Sequence, residues 1–278
     1  MVVPVDAAAS RRAVAEAVAS GSRRIVAVGG DGTVHLVANA LLAAGSDAAM
    51  GIMPAGTGSD LARTLRIPRS PADALRQAML HPASPFDAGR CRGPAGEFAF
   101  VNIASAGIGG LVDEAVNAVP DRGRTAFVRA TLAALRRYRC APVRVSLDGR
   151  PWFEGPLLML AVANGTTFGK GMRVAPRARP DDGAFDIVAV GAVSGWELVL
   201  RLPQVYLGRH LGARPVRHAR AERVGVVPLA PLPPFDVDGE TYPSGPAEFT
   251  VAPGALKIAA APSAPDRDRS AAGVAPRD

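Results

Sequence analysis

Lysine is almost missing from this chain: Lys170 and Lys257 are the only two in 278 residues, so nearly all of the basic charge is arginine. Cysteine is equally scarce. Cys91 and Cys140 stand alone, with no second cysteine or histidine at ligand spacing, which excludes a disulfide framework and a cysteine-based zinc site and fits a reducing cytoplasm. No apolar run approaches the roughly 18 uninterrupted residues of a membrane span. Met1 is not followed by a basic region and an apolar signal core, so no secretory leader is expected and any membrane contact should be peripheral. The chain also has no internal repeat.

What is present is enough for a folded protein. The hydrophobic share of 48% fills a core, and the length suits two modest domains or one large one. The net charge of +7 (32 basic residues less 25 acidic) and a pI near 10.3 have two readings. One is an anionic partner, a membrane surface or nucleic acid. The other, which the abundance of Ala, Gly, Pro and Arg favours, is a compositional bias spread over the surface. Nucleic acid is therefore not expected as a partner.

Two glycine-rich turns carry most of the information. Gly29-Gly30-Asp31-Gly32-Thr33 follows the apolar run Ile25 to Val28, and Gly56-Thr57-Gly58-Ser59-Asp60 follows Met50 to Pro54; each precedes a helical pattern. Glycine lets the backbone come close to a ligand, and the helix that follows offers unpaired N–H groups and a positive dipole end, so both turns suit phosphate. A carboxylate in each turn repels bare phosphate unless it binds the magnesium that accompanies ATP or orients a proton donor, which makes Asp31 and Asp60 candidates for catalysis. Plain turn chemistry between strand and helix is the alternative for either turn taken singly.

Periodicity predicts a helix over 6–20, a strand over 25–28, a helix from Val34 to Leu42, a short helix from Leu61 that Pro68 stops, and another from Ser70-Pro71 to Met79. Alternating strand and helix implies a parallel sheet. The pattern changes at Phe86-Asp87-Ala88-Gly89. Beyond it, strands are predicted at 98–103, 143–147, 157–162, 185–190 and 223–227, with helices at 124–138 and 196–207. The Arg124–Arg139 stretch has an apolar face and five arginines; a domain helix with a solvated basic face is favoured over contact with anionic lipid. The expected division is an α/β domain at 1–87, a β-rich domain at 88–261, and a disordered tail at 262–278.

Over about residues 22–262 the chain resembles the diacylglycerol kinase catalytic-domain lipid kinases, which include bacterial diacylglycerol kinases and the sphingosine and ceramide kinases. The resemblance rests on Gly29 to Thr33, Pro54 to Arg63, Phe86 to Gly89, Asn102 with Gly107-Ile108-Gly109, Pro180 to Gly183, and Asp236 to Glu240, in that order. The first turn is also similar to that of NAD kinases, whereas Ser59-Asp60-Leu61-Ala62-Arg63 resembles lipid kinases. It implies an α/β nucleotide-binding domain followed by a β-rich, sandwich-like domain. It also implies ATP and Mg2+ as cofactors and transfer of the γ-phosphoryl group to a lipid hydroxyl, most simply diacylglycerol giving phosphatidic acid. Sphingoid and ceramide-type alcohols, an NAD-kinase-like activity and a non-catalytic binding module stay open as alternatives. The implied partner is a lipid at a membrane surface, with a homodimer also open.

Carried over by resemblance, Gly30, Asp31, Gly32, Thr33, Gly56 and Thr57 would contact the nucleotide, with His35 either on the nucleotide side or solvated. Glu240 would be the general base, supported by Asp238, and Asp60 with Asp87 would complete an acidic network that positions it. A structural magnesium would take the Asp182 side chain and the carbonyl oxygens of Arg179 and Ala184; without the resemblance, Asp181-Asp182-Gly183 reads as a surface hairpin turn. His81, His210 and His218 are expected at the surface. The family's opening strand with its Asn-Pro-x-x-Gly loop has no counterpart in Val2-Val3-Pro4-Val5, and Leu36 stands where the family has glutamate. An absent opening strand would leave an apolar sheet edge uncovered.

Overall fold

The computed structural model describes residues 6–56, 58–94, 96–109 and 138–260. The expected helix at 124–138, Thr57, the opening Val2 to Val5 and the tail lie wholly or almost wholly outside them.

The first half alternates helix and strand. Helix α1 (Ala7–Ala19) starts at Asp6, whose carboxylate accepts the Ala9 N–H at 2.7 Å. Strand β1 (Arg24–Gly29), helix α2 (Asp31–Ala43) and strand β2 (Ala49–Pro54) follow, with β1 and β2 parallel from Arg24 opposite Ala49 to Gly29 opposite Pro54. Helices α3 (Asp60–Thr64) and α4 (Pro71–Leu80) come next, α4 opening on a Ser70 cap with proline in its first turn. Val34, Ala38 and Leu41 of α2 meet Met50 and Ile52 of β2 in one buried core. Among the described residues β1 pairs only with β2, and its Val28 is 50% exposed.

The second half is almost all strand: β3 (Ser84–Gly93), β4 (Gly96–Phe100), β5 (Ile103–Gly107), β6 (Ala141–Leu147), β7 (Arg150–Ala163) and β8 (Phe185–Gly191). Helix α5 (Gly195–Tyr206) begins on a capping box between Ser194 and Glu197. Strands β9 (Val216–Ala221), β10 (Arg223–Pro228), β11 (Phe235–Val237), β12 (Glu240–Tyr242) and β13 (Ala247–Ile258) complete the fold. A second core, built on Phe100, Phe185, Phe235 and Phe249, fills this β-rich half.

One sequence expectation is corrected. The strand predicted at 98–103 is two strands, β4 and β5, because the N–H groups of Val101, Asn102 and Ile103 turn away from the ladder to the Asp238 carboxylate. The boundary at residue 88 falls inside β3, which pairs with β4 on one side and β13 on the other. Strand β13 returns from the far end of the chain to lie parallel to β2, with Lys257 opposite Ala49, and Leu256, Ile258 and the following Ala260 are buried in the first core. The expected parallel sheet thus takes its third strand from the C-terminal end of the fold.

Candidate active site

The first glycine turn joins β1 to α2. Gly30 is the cap of α2 in an extended conformation, and no side chain caps that helix, so the N–H groups of its first turn lack a capping acceptor. Asp31 is engaged by the second turn. Its Oδ1 accepts the N–H of Asp60 at 2.8 Å and of Leu61 at 3.3 Å, so it caps the short helix α3 that follows the second turn. Burial raises its pKa above the ordinary aspartate value, the bonds from Leu61 and Asp60 oppose that, and the nearby Asp238 charge adds to it.

The second turn packs directly on the first. A β-carbon on Gly56 would collide with the Gly30 α-carbon, so only glycine lets the two backbones meet. Ser59 adopts a left-handed φ of 54° and donates its hydroxyl to the Gly56 carbonyl at 3.2 Å. Asp60 is buried, accepts the Lys170 N–H at 2.8 Å, and pairs with Arg63 at 2.8 Å. Its pKa is pushed up to about 6, by burial first and the Asp31 charge second. A cavity of about 410 Å³ opens beside this turn, lined by Pro54, Gly56, Ser59, Arg63, Arg66 and Arg69.

The third part is the hairpin from β11 to β12. Asp238 sits in its turn at φ 54°, followed by Gly239 at φ 90°, whose N–H bonds Asp236 at 2.9 Å. The Asp238 carboxylate accepts N–H bonds from Val101 at 2.8 Å and from Asn102 and Ile103 at 3.0 Å each, and His35 Nδ1 at 3.1 Å. It is an anchor. Glu240, two residues on, is exposed, and its Oε1 lies 3.9 Å from where a β-carbon would stand on Gly32. The hairpin therefore holds a solvent-accessible carboxylate against the first glycine turn.

His35 is 5% exposed with its ring on Asp238, which corrects the expectation of a solvated side chain. His210 is also buried, bonded to the Val174 carbonyl at 3.0 Å, and burial lowers its pKa. His218 pairs with the fully buried Asp186 at 2.7 Å. Neither is the surface residue the sequence implied.

The Asp181-Asp182-Gly183 turn stands on Asp87. Asp87 accepts the Gly183 N–H at 2.7 Å and the Gly254 N–H at 2.8 Å, tying this turn to the irregularity in β13, while its own N–H bonds the Pro180 carbonyl at 2.7 Å. Asp182 pairs with Arg220 at 2.6 Å, and Arg179 reaches Asp181 at 3.3 Å. Asp60 and Asp87 hold different loops and have no direct bond to each other.

Comparison with known proteins decides the family. The profile of the diacylglycerol kinase catalytic domain matches residues 2–91, and that of the YegS C-terminal NAD kinase beta sandwich-like domain matches residues 102–260. A diacylglycerol kinase of Mycobacterium tuberculosis is 33% identical over 263 residues, covering 92% of this chain and 83% of that protein. The chain belongs to the diacylglycerol kinase catalytic-domain family of lipid kinases. A Pseudomonas aeruginosa protein named "Probable lipid kinase YegS-like" is 34% identical over 261 residues, with 90% and 80% covered. A crystal structure of a diacylglycerol kinase from Bacillus anthracis str. Sterne superposes with a TM-score of 0.68 at 22% identity, covering 91% of this chain and 81% of that one, which shows a shared fold. The β sandwich-like domain named for residues 102–260 agrees with the strand-rich second half of this lipid-kinase chain.

Within this lipid kinase, three contributors to the site were not named from sequence. Lys170 supplies the N–H that holds Asp60, from a tight loop in which Gly169, Lys170 and Gly171 all have positive φ; the two glycines flanking a lysine were the available signal. Asn164 donates to the Asp87 and Val101 carbonyls at 2.7 and 2.9 Å, and Thr166 bonds Thr64 of α3 at 3.0 Å. Those polar contacts join sequence-distant loops and leave no local pattern. Among the described residues no three of His, Cys, Asp and Glu gather as a metal cluster. The carboxylate and two carbonyls at Asp182, Arg179 and Ala184 have the hard-oxygen chemistry that suits magnesium, and Arg220 already brings a positive charge to that carboxylate.

Proposed function

We propose that this lipid kinase transfers the γ-phosphoryl group of ATP to the hydroxyl of diacylglycerol, giving phosphatidic acid and ADP. The observation that carries the reading is the exposed Glu240 carboxylate standing against Gly32 of the uncapped α2 turn. The phosphates lie on the N–H groups of the two glycine turns, Gly30, Gly32, Thr33 and Gly56 among them, where the helix end favours negative charge. Thr57 belongs to the same turn by its place in the sequence.

Phosphoryl transfer through a loose transition state needs alignment and charge neutralisation more than covalent help from the protein. Glu240 accepts the proton of the lipid hydroxyl as the new O–P bond forms, and the bond from the γ-phosphorus to the β,γ-bridging oxygen breaks. Asp238 holds the hairpin, and Asp31 with Asp60 holds the second turn against the first, so those carboxylates position the site. Mg2+ accompanies the ATP phosphates and neutralises their charge when bound. A second Mg2+ would be structural, held by Asp182 with the Arg179 and Ala184 carbonyls. The acceptor is drawn from a membrane surface. No helix among the described residues is long and apolar enough to cross a membrane.

The test is labelled-ATP transfer, with magnesium, to mixed micelles carrying diacylglycerol, sphingosine, ceramide or no lipid. Diacylglycerol-dependent product that disappears in Glu240→Gln is the expected result. Transfer to another lipid would replace the substrate, and full activity in Glu240→Gln would remove Glu240 as base.

A further inference from the structure

We infer that His35 is a positioning residue for phosphoryl transfer: its Nδ1, held on the Asp238 carboxylate, locks the hairpin that presents Glu240 to the first glycine turn. The inference rests on the reading of Glu240 as the base. His35 lies one helical turn into α2, the helix whose first N–H groups form the anion site, and its partner lies 203 residues away between β11 and β12. Helix and hairpin belong to different halves of the fold. A short rigid path thus runs from the phosphate-binding end of α2, through one ring, to the residue two before the base.

Each link on that path is fixed. The side chains of His35 and Asp238 are 7% and 2% exposed. Asn39 donates to the His35 carbonyl at 3.0 Å and to the Ala99 carbonyl at 3.2 Å, tying the same turn of α2 to β4. Asp238 keeps a left-handed φ that a non-glycine residue adopts only when its surroundings hold it. Its three backbone N–H bonds fix it to the β4–β5 break, and His35 is the bond that ties it to α2. The ionisable groups facing the ring are the Asp238 and Glu240 carboxylates, both from the hairpin, and together they outweigh burial and raise the His35 pKa.

Without the His35 bond the hairpin keeps its attachment to β4 and β5 and loses its attachment to the nucleotide helix. Displacing a reacting group by about 1 Å costs on the order of 100-fold in rate. The effect therefore falls on kcat, and ATP binding, which uses the turn itself, is spared.

The experiment compares His35→Asn, whose amide stands where Nδ1 stands, with His35→Gln, whose amide reaches only the Nε2 position, each with steady-state kinetics in ATP and lipid. His35→Gln is expected to lose about 30-fold or more in kcat with the ATP KM within about threefold, and His35→Asn to stay within about threefold of wild type in both. Equal kinetics in the two variants, or a raised ATP KM at unchanged kcat, overturns the inference. If His35→Gln does not fold, ring 15N shifts of His35 decide, because they need only the wild type and Glu240→Gln: the His35 titration midpoint should fall when the Glu240 charge is removed, and an unmoved midpoint overturns the coupling. A fully active Glu240→Gln would instead sink the base reading itself. An inactive Glu240→Gln beside a wild-type His35→Gln sinks His35 alone.

Discussion

Gly56 rests its α-carbon face on Gly30, and no β-carbon fits between them. The two phosphate-type turns are thus one surface, made continuous by a backbone-to-backbone contact.

Gly56→Ala should push that surface apart. The obstructing atom is backbone and cannot rotate away, so a loss on the order of 100-fold in kcat/KM is expected with the protein still folded. Kinetics beside a thermal melt checks it. Activity within a few-fold of wild type would show that the contact is not needed for the site.

Asp87 is the buried acceptor that joins the Gly183 turn to Gly254 of β13. Asp87→Asn turns an N–H donor toward at least one of those N–H groups and should cost on the order of 2–3 kcal/mol in urea unfolding. A change below about 0.5 kcal/mol, the scale of ordinary surface substitutions, would deny Asp87 this role.

Asp60 makes stability depend on pH with a definite sign. Its pKa rises from 3.8 to about 6 on folding, so the native state holds the proton more tightly than the unfolded chain. The stabilisation is complete below about pH 4 and is lost as pH rises through about 6. Asp31, also raised, acts in the same sense. Melts across pH 4 to 7 should be flatter for Asp60→Asn than for wild type; identical slopes would contradict the assignment.

Cys91 is fully buried and its thiol pKa is pushed up to about 12 by burial. A thiol reagent at neutral pH should leave it untouched in the native protein and label it on unfolding, whereas the half-buried Cys140 should react first. Mass spectrometry of pulse-labelled protein separates the two sites, and early Cys91 labelling would mean that this part of the second core opens locally.

Much of the first half was legible because its signals are local. A cap at Asp6, a proline after Ser70 and glycines after apolar runs each constrain the next few residues, so α1, β1, α2, β2, α3 and α4 lie close to where periodicity put them. Strands β3 and β13 were not legible. Ser84–Gly93 carries proline, glycine and arginine, and Ala247–Ile258 carries Pro253-Gly254, so neither shows a strand pattern, and each becomes a strand by pairing with the other.

The sequence by itself determined the family, the order of the halves and the two glycine turns, because glycine turns and helix starts are short-range features of the chain. Tertiary structure alone decided what the acidic residues do. Asp31 caps α3, Asp87 ties the Asp182 turn to β13, and Asp238 gathers three N–H groups and His35, each through partners 29 to 203 residues away. A carboxylate's role depends on which donors surround it, and those donors are brought together by burial of the cores. Glu240 differs because it is left exposed, facing Gly32, after its acidic neighbours have been engaged.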